Sequence, residues 1–319
     1  MNLVFIGATR FGLRCLELVY TLSDFKITGI VTAPQKFTIS YRPEGVINVL
    51  HVDFVRFSTD HNLPYLIIDS QGMKNLALFE TVKSWKPDAF LVVGWYHMIP
   101  SIWRKLAPAY GLHASLLPDY SGGAPLVWAL INGETQTGIT LFQMDDGIDT
   151  GPIVAQAKVP IYERDTIATL YARVEEKGIE LLKETLPKLA HGLITPQPQP
   201  KTERRVMPQR CPEDGLIDWT KDSQFIDRFV RAQTRPYPGA YTTLDGTRVT
   251  VWAAWNVDDE FTSFPTGSVV HRDGICLVQC RKGLLRLDEI EIDGKVFVSK
   301  EISCRLSNGV MFENLSDTL

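Results

Sequence analysis

Between Tyr110 and Gln156 the chain gathers side chains whose types and spacing suit proton chemistry. His113 ends an apolar run, and a loop rich in proline and glycine follows it (Pro118, Gly122, Gly123, Pro125). A helical stretch with Trp128 and Leu130 comes next, then a strand expected over residues 139–143, then an acidic loop with Asp145, Asp146 and Asp149. An imidazole accepts or donates a proton near neutral pH. A carboxylate beside it raises its pKa and fixes its orientation. Brought together at the carboxyl ends of parallel strands, such a pair has what proton transfer at an acyl centre requires. Plainer readings compete: a lone histidine is usually structural, and an acidic loop is usually a solvated turn. The loop lacks the closing glutamate of a calcium-binding loop, so no metal is expected there.

These residues need a scaffold, and the preceding sequence reads as one. Residues 2–6 form a short apolar run ending at Gly7, a buried strand entering a tight turn. Leu13, Leu16 and Leu18 begin a helix-like pattern. Further strands are expected over residues 26–31, 65–68 and 89–93, with a loop containing Pro34 and Pro43 in between. This alternation predicts an α/β fold: a Rossmann-like, mostly parallel sheet with helices on both faces. The first turn carries Gly7 and Gly12, spaced G-x-x-x-x-G. That is neither the dinucleotide fingerprint nor a phosphate loop, so it is expected to be a packing turn.

Apolar positions Ile167, Leu170, Val174, Leu181, Leu182, Leu186 and Leu189 recur at helical spacing between Asp165 and Leu189. Asp165 or Thr166 is the expected cap and Gly192 the expected stop. The stretch TPQPQPKTERR follows, and Pro196, Pro198 and Pro200 make it an extended linker. Beyond it, a helix is expected over residues 223–232. Short alternating runs at 240–244, 248–255, 267–270, 275–280 and 284–291 predict a small β-barrel or open sheet. The expected division is therefore a first domain over 1–194, a proline-rich linker over 195–212 and a β-domain over 213–319.

Composition narrows the class. The chain has 319 residues, 45% hydrophobic and 22% charged, which excludes a disordered or fibrous protein and suits two domains. A net charge of −4 supplies no global field for a nucleic-acid backbone. Cys15, Cys211, Cys276, Cys280 and Cys304 make neither a paired zinc ribbon nor a dense disulfide framework. With no secretory signal in sight, reduced thiols and a cytoplasmic location are expected. No apolar run approaches a membrane span.

The segment from 110 to 156 resembles the signature of the 10-formyltetrahydrofolate-dependent formyltransferases, whose members act on methionyl-tRNA, glycinamide ribonucleotide and nucleotide-linked amino sugars. The matching residues are His113, Ser115-Leu116-Leu117-Pro118, Gly123-Ala124-Pro125, Thr137-Gly138 and Asp149-Thr150-Gly151. The similarity extends over most of the chain. Residues 214–252 are similar to the C-terminal OB-like domain of the tRNA and sugar members. Two positions depart from the pattern. The family asparagine, two residues before the histidine, is Gly111, and an Arg-Gly after Pro-x-Tyr is Ser121-Gly122.

The resemblance implies direct transfer: a neutral amine attacks the formyl carbon of N10-formyltetrahydrofolate, with no metal. His113 would stabilise the developing oxyanion or relay a proton, and Asp149 would orient His113. The missing asparagine would be one oxyanion donor, a contact of about 2.7–4 kcal/mol. A backbone N–H, a water or Asn132 are the substitutes the sequence offers. The resemblance places the folate on Gly94, Trp95, Tyr96, His97, Met98 and Ile99, where an ordinary strand-to-helix loop competes, and on Ser115, Leu116, Pro118 and Asp145. Arg10, Ser121 and Gly122 are weaker candidates for substrate contact, and Arg231, Arg235 and Tyr237 are expected to be structural. After residue 200 there are 16 Lys and Arg against 18 Asp and Glu. Residues 32–64 are balanced as well. Both observations favour a compact acceptor, and the wording from Trp128 to Gly138 is most similar to the amino-sugar branch. The expected acceptor is thus a nucleotide-linked amino sugar; methionyl-tRNA, or a degenerate folate-binding homologue without activity, are the alternatives. No membrane partner is expected, and a homodimer is left open.

Overall fold

The computed structural model describes residues 1–39, 42–69, 72–257 and 263–313. Leu3, Val4, Phe5 and Ile6 show no polar alternation, and such a strand must be covered on both faces. They lie in β1 (Asn2–Gly7), none more than 2% exposed. α1 (Arg10–Thr21) follows, capped by the Thr9 hydroxyl, which accepts from the Gly12 N–H at 3.2 Å. Its buried stripe is Gly12, Cys15, Leu16 and Val19, so of the three leucines read from the sequence only Leu16 is fully inside. A β-carbon at Gly7 or Gly12 would stand 2.7 or 2.9 Å from the Val93 carbonyl oxygen. The turn glycines therefore serve close packing.

In chain order there follow β2 (Lys26–Thr32), β3 (Lys36–Ile39), β4 (Arg42–Ile47), α2 (Phe54–Asp60), β5 (Tyr65–Ile67), α3 (Leu76–Ser84) and β6 (Ala89–Val93). Next come α4 (Ser101–Leu106), β7 (Ala109–His113), β8 (Ser121–Gly122), α5 (Pro125–Ile131), β9 (Gln136–Gln143), β10 (Ile153–Pro160) and α6 (Ile167–Ala190). Seven strands form one sheet in the order β10-β9-β7-β6-β1-β2-β5. β5, β2, β1, β6 and β7 run parallel. β9 is antiparallel to β7 and sets Gly111 opposite Phe142 and His113 opposite Thr140. The stretch read as a loop around Pro34 and Pro43 contains an antiparallel pair, β3 with β4. Pro43 is tolerated there because a two-stranded ribbon has only edges.

The chain divides into two compact units with interleaved segments: 1–122, 137–159 and 173–206 in one; 123–136, 160–172 and 207–319 in the other. The stretch expected as a linker holds β11 (Val206–Met207). After it come α7 (Ser223–Gln233), β12 (Ala240–Leu244), β13 (Thr247–Val257), β14 (Val269–Arg272), β15 (Ile275–Gln279), β16 (Leu284–Ile292), β17 (Lys295–Val298) and α8 (Lys300–Arg305). β12 to β17 form an antiparallel sheet, β12-β13-β16-β15-β14, with β17 on β16. Sequence reading missed β17 and α8. In the core of this unit Trp219 stacks on Phe312 with ring centroids 5.4 Å apart, beneath α7 residues Ile226 and Val230.

Candidate active site

β7 is parallel to β6, so His113 stands at a carboxyl strand end, where open α/β sheets bind their ligands. Its Nε2 lies 2.7 Å from the Tyr120 carbonyl oxygen. A carbonyl only accepts, so Nε2 carries the proton. Nδ1 faces Asp149 Oδ2 at 3.5 Å, with the two side chains 11% and 19% exposed. That distance exceeds a hydrogen bond, and a proton at Nδ1 turns the contact into an ion pair. The Gly122 N–H donates to the same Asp149 oxygen at 2.8 Å. The expected imidazole–carboxylate pair is therefore assembled, and a backbone carbonyl invisible to sequence reading fixes its tautomer. Tyr120 and Asp149 both sit at φ +53°, a left-handed conformation that side-chain-bearing residues rarely adopt.

The segment after His113 is tied down from below. Thr140, wholly buried, donates from Oγ1 to the Ser115 carbonyl at 2.6 Å and accepts from the Leu117 N–H at 3.2 Å. Gln156 Nε2 donates to the Thr140 hydroxyl and to the Leu117 carbonyl at 2.9 and 2.8 Å. The Ser115 hydroxyl donates to the Asp119 carbonyl at 2.7 Å, and Pro118 is buried. Leu116 lies against Gly138. Asp145 Oδ1 accepts from Thr150 Oγ1 at 2.6 Å and the Gly147 N–H at 3.0 Å, closing the acidic loop on itself. Asp146, exposed, pairs with Arg104, which holds its carboxyl below the usual range.

Position 111 has no amide, and its space is taken. A β-carbon on Gly111 would stand 2.7 Å from Met144 Cε and 3.1 Å from the Phe142 ring. Gly111 shares a strand face with His113, so this face carries hydrocarbon where the resemblance expects a donor. Asn132 belongs to the other unit, where it caps α5.

The loop after β6 carries buried polar atoms that the fold leaves unmatched. Gly94 takes φ +62°, and a β-carbon there would fall 1.9 Å from Thr9 Oγ1. Trp95 Nε1 and His97 Nε2 are buried with no hydrogen-bond partner among the described residues. The His97 ring packs against Phe37 and Trp95, and burial pushes its pKa down. The Tyr96 hydroxyl donates to Asn48 Oδ1 at 3.3 Å; Met98 is exposed and Ile99 lies in the core. An unmatched buried polar group costs about 1–3 kcal/mol. A heterocycle rich in donors and acceptors, such as a pterin, fits such a lining.

Other candidates sit elsewhere. Arg10 begins α1, exposed, and its charge acts on Glu175. Ser121 is fully buried and accepts from Arg204 Nε at 2.9 Å. In the second unit Arg231 donates to Asp227 at 3.0 Å, Arg235 pairs with Glu289 at 2.8 Å, and the Tyr237 and Tyr171 hydroxyls lie 2.9 Å apart. Each of the three is engaged by a partner within that unit. Among the described residues no cluster of His, Cys, Asp and Glu is suited to a metal, and no helix is long and apolar enough to cross a membrane. Sequence reading missed Thr140, Gln156, Gln199, Arg204 and Arg205. Only the adjacent arginines after a proline-rich stretch gave a signal.

Known proteins show the family. Residues 24–186 match the formyl transferase family model, and residues 211–303 match that of the formyl transferase C-terminal domain. The methionyl-tRNA formyltransferase of Geobacter metallireducens is 32% identical over 317 residues, 97% of this chain and 98% of its own length. That of Levilactobacillus brevis is 37% identical over 299 residues, 92% of each chain. A Helicobacter canadensis N-formyltransferase, solved with folinic acid and dTDP-3-aminofucose, shares the fold with a TM-score of 0.64 at 17% identity, covering 89% of this chain and 97% of its own. With a family model and near-full-length relatives in agreement, the chain belongs to the formyltransferase family, enzymes that draw their one-carbon unit from formyltetrahydrofolate.

Proposed function

We propose that this protein formylates the amine of methionyl-tRNA, with His113 and Asp149 managing the protons. The observation that carries the acceptor is the 32–37% identity to methionyl-tRNA formyltransferases over nearly the whole of both chains. N10-formyltetrahydrofolate, when bound, supplies an electrophilic formyl carbon. The loop from Gly94 to Ile99 would hold it, with Trp95 and His97 offering their unmatched nitrogens. His113 keeps one proton at Nε2, held by the Tyr120 carbonyl, and its Nδ1 would take the proton that the attacking amine loses and return it to N10 as the N10–formyl bond breaks. Asp149 pairs with the ring while that second proton is present and stabilises the imidazolium, while the Tyr120 carbonyl on the opposite nitrogen orients the ring.

One observation favours the second reading, a nucleotide-linked amino sugar. Phosphate contacts supply most of the affinity for a nucleic acid, yet Arg164, Arg231, Arg235, Arg281 and Arg286 are each paired with a carboxylate. Tetrahydrofolate release from formyltetrahydrofolate, followed with methionyl-tRNA and with a panel of dTDP- and UDP-amino sugars, decides between them. Release with methionyl-tRNA, weakening steeply between low and high salt, is expected. Release only with the sugars would overturn the tRNA assignment and establish the second reading. Release with neither would leave a folate-binding homologue.

A further inference from the structure

We infer that the stretch from Gln199 to Arg205 is a strap that sets the His113–Asp149 geometry, and that Arg204 is its positioning residue. The inference rests on the pair's role in the reaction. His113 is held by groups from two separate loops: the Tyr120 carbonyl from one, the Asp149 carboxylate from the other. Both residues are at φ +53°, a strained conformation that persists only where the surroundings over-determine it. Neither lies in a helix or strand; the Gly122 N–H already ties one loop to the other through Asp149, and a further constraint comes from outside the two loops.

Residues 199–205 supply it. Arg204 Nε donates to the Ser121 hydroxyl at 2.9 Å, and its Nη2 donates to the Ile148 carbonyl. Ser121 follows Tyr120 and Ile148 precedes Asp149, so one guanidinium joins the neighbours of both groups that hold the ring. Gln199 Nε2 donates to the Asp149 carbonyl at 2.7 Å and to the Gly151 carbonyl at 2.8 Å. Arg205 donates from Nε to Asp119 Oδ1 at 2.8 Å and lies over the Tyr120 ring, 4.3 Å from its centroid. Three side chains of one short stretch thus meet residues 119, 120, 121, 148, 149 and 151. The role of Arg204 depends on a planar fork: two donors in fixed relation reach acceptors on different loops. A lysine offers one compact ammonium and cannot span them in the same way.

The full-length enzyme with Arg204→Ala, Arg204→Gln and Arg204→Lys provides the test. Tetrahydrofolate release is followed with the working acceptor, alongside 15N-histidine NMR titration of His113, which needs no acceptor. Arg204→Ala and Arg204→Gln are expected to lower kcat about 100-fold, the scale of a small misplacement at the reacting centre, with KM for formyltetrahydrofolate held within about twofold. Added guanidinium ion restores at least about tenfold of the loss in Arg204→Ala, while Arg204→Lys stays low. The NMR titration of His113 shifts in Arg204→Ala and returns with guanidinium. A kcat within about twofold of wild type and an unmoved His113 titration would overturn the inference. So would a loss that guanidinium leaves unrepaired while thermal stability falls, which marks a structural role. If His113→Ala retains turnover, the pair's catalytic role fails, and the NMR titration still judges the strap.

Discussion

At position 111 a glycine stands where the family pattern has an asparagine, and Met144 and Phe142 occupy the space its side chain needs. Met144 ends in a flexible thioether, so the crowding is relieved at modest cost, whereas the Phe142 ring is wholly interior. Gly111→Asn alone is expected to destabilise the fold by about 1–3 kcal/mol through overpacking, read as a lowered midpoint of urea unfolding. Combining it with Met144→Ala is expected to recover part of that loss, and to raise kcat if the amide then serves the oxyanion role that the resemblance implies for this position. An unchanged midpoint in the single variant would show that the pocket is roomier than these contacts allow. His113 and Asp149 were legible in the sequence because an imidazole and a carboxylate are residue types with proton chemistry of their own. The Tyr120 carbonyl was not, since a backbone group leaves no mark on residue type.

Elements position these residues through a few buried polar hubs. Thr140, in the middle of β9, bonds the Ser115 carbonyl, the Leu117 N–H and Gln156 at once. Thr140→Val keeps the shape and strands two buried backbone groups, at about 1–3 kcal/mol each. The expected outcome is lowered stability together with a slower reaction, measured by urea unfolding and kcat. A neutral effect on both would remove Thr140 from the account. The parallel strands were legible as unbroken apolar runs such as 89–93, every residue of which is buried. The β3–β4 pair and the strap were not. Pro43 argued against a strand that an edge position in fact tolerates, and three prolines disguised a stretch whose order comes from bonds to distant loops rather than local periodicity.

For the whole molecule, the two units interleave along the chain: segments 123–136 and 160–172 belong with the C-terminal β-unit. Linear composition has no signal for such an exchange, which depends on packing of α5 beside α7 rather than on any linker. Within that unit Asp227, 4% exposed, is shared by Arg164 and Arg231, so charges that sequence counting treats as available are already neutralised. The acceptor is therefore better judged by turnover than by net charge. The proposed reaction rests on one pair of groups, His113 and Asp149. Single-turnover tetrahydrofolate release by His113→Ala and Asp149→Ala, each verified as folded and able to bind formyltetrahydrofolate, measures that directly. Both variants are expected to bind the donor and release no tetrahydrofolate on addition of acceptor; wild-type release by both would contradict the assignment of the chemistry to this imidazole and carboxylate.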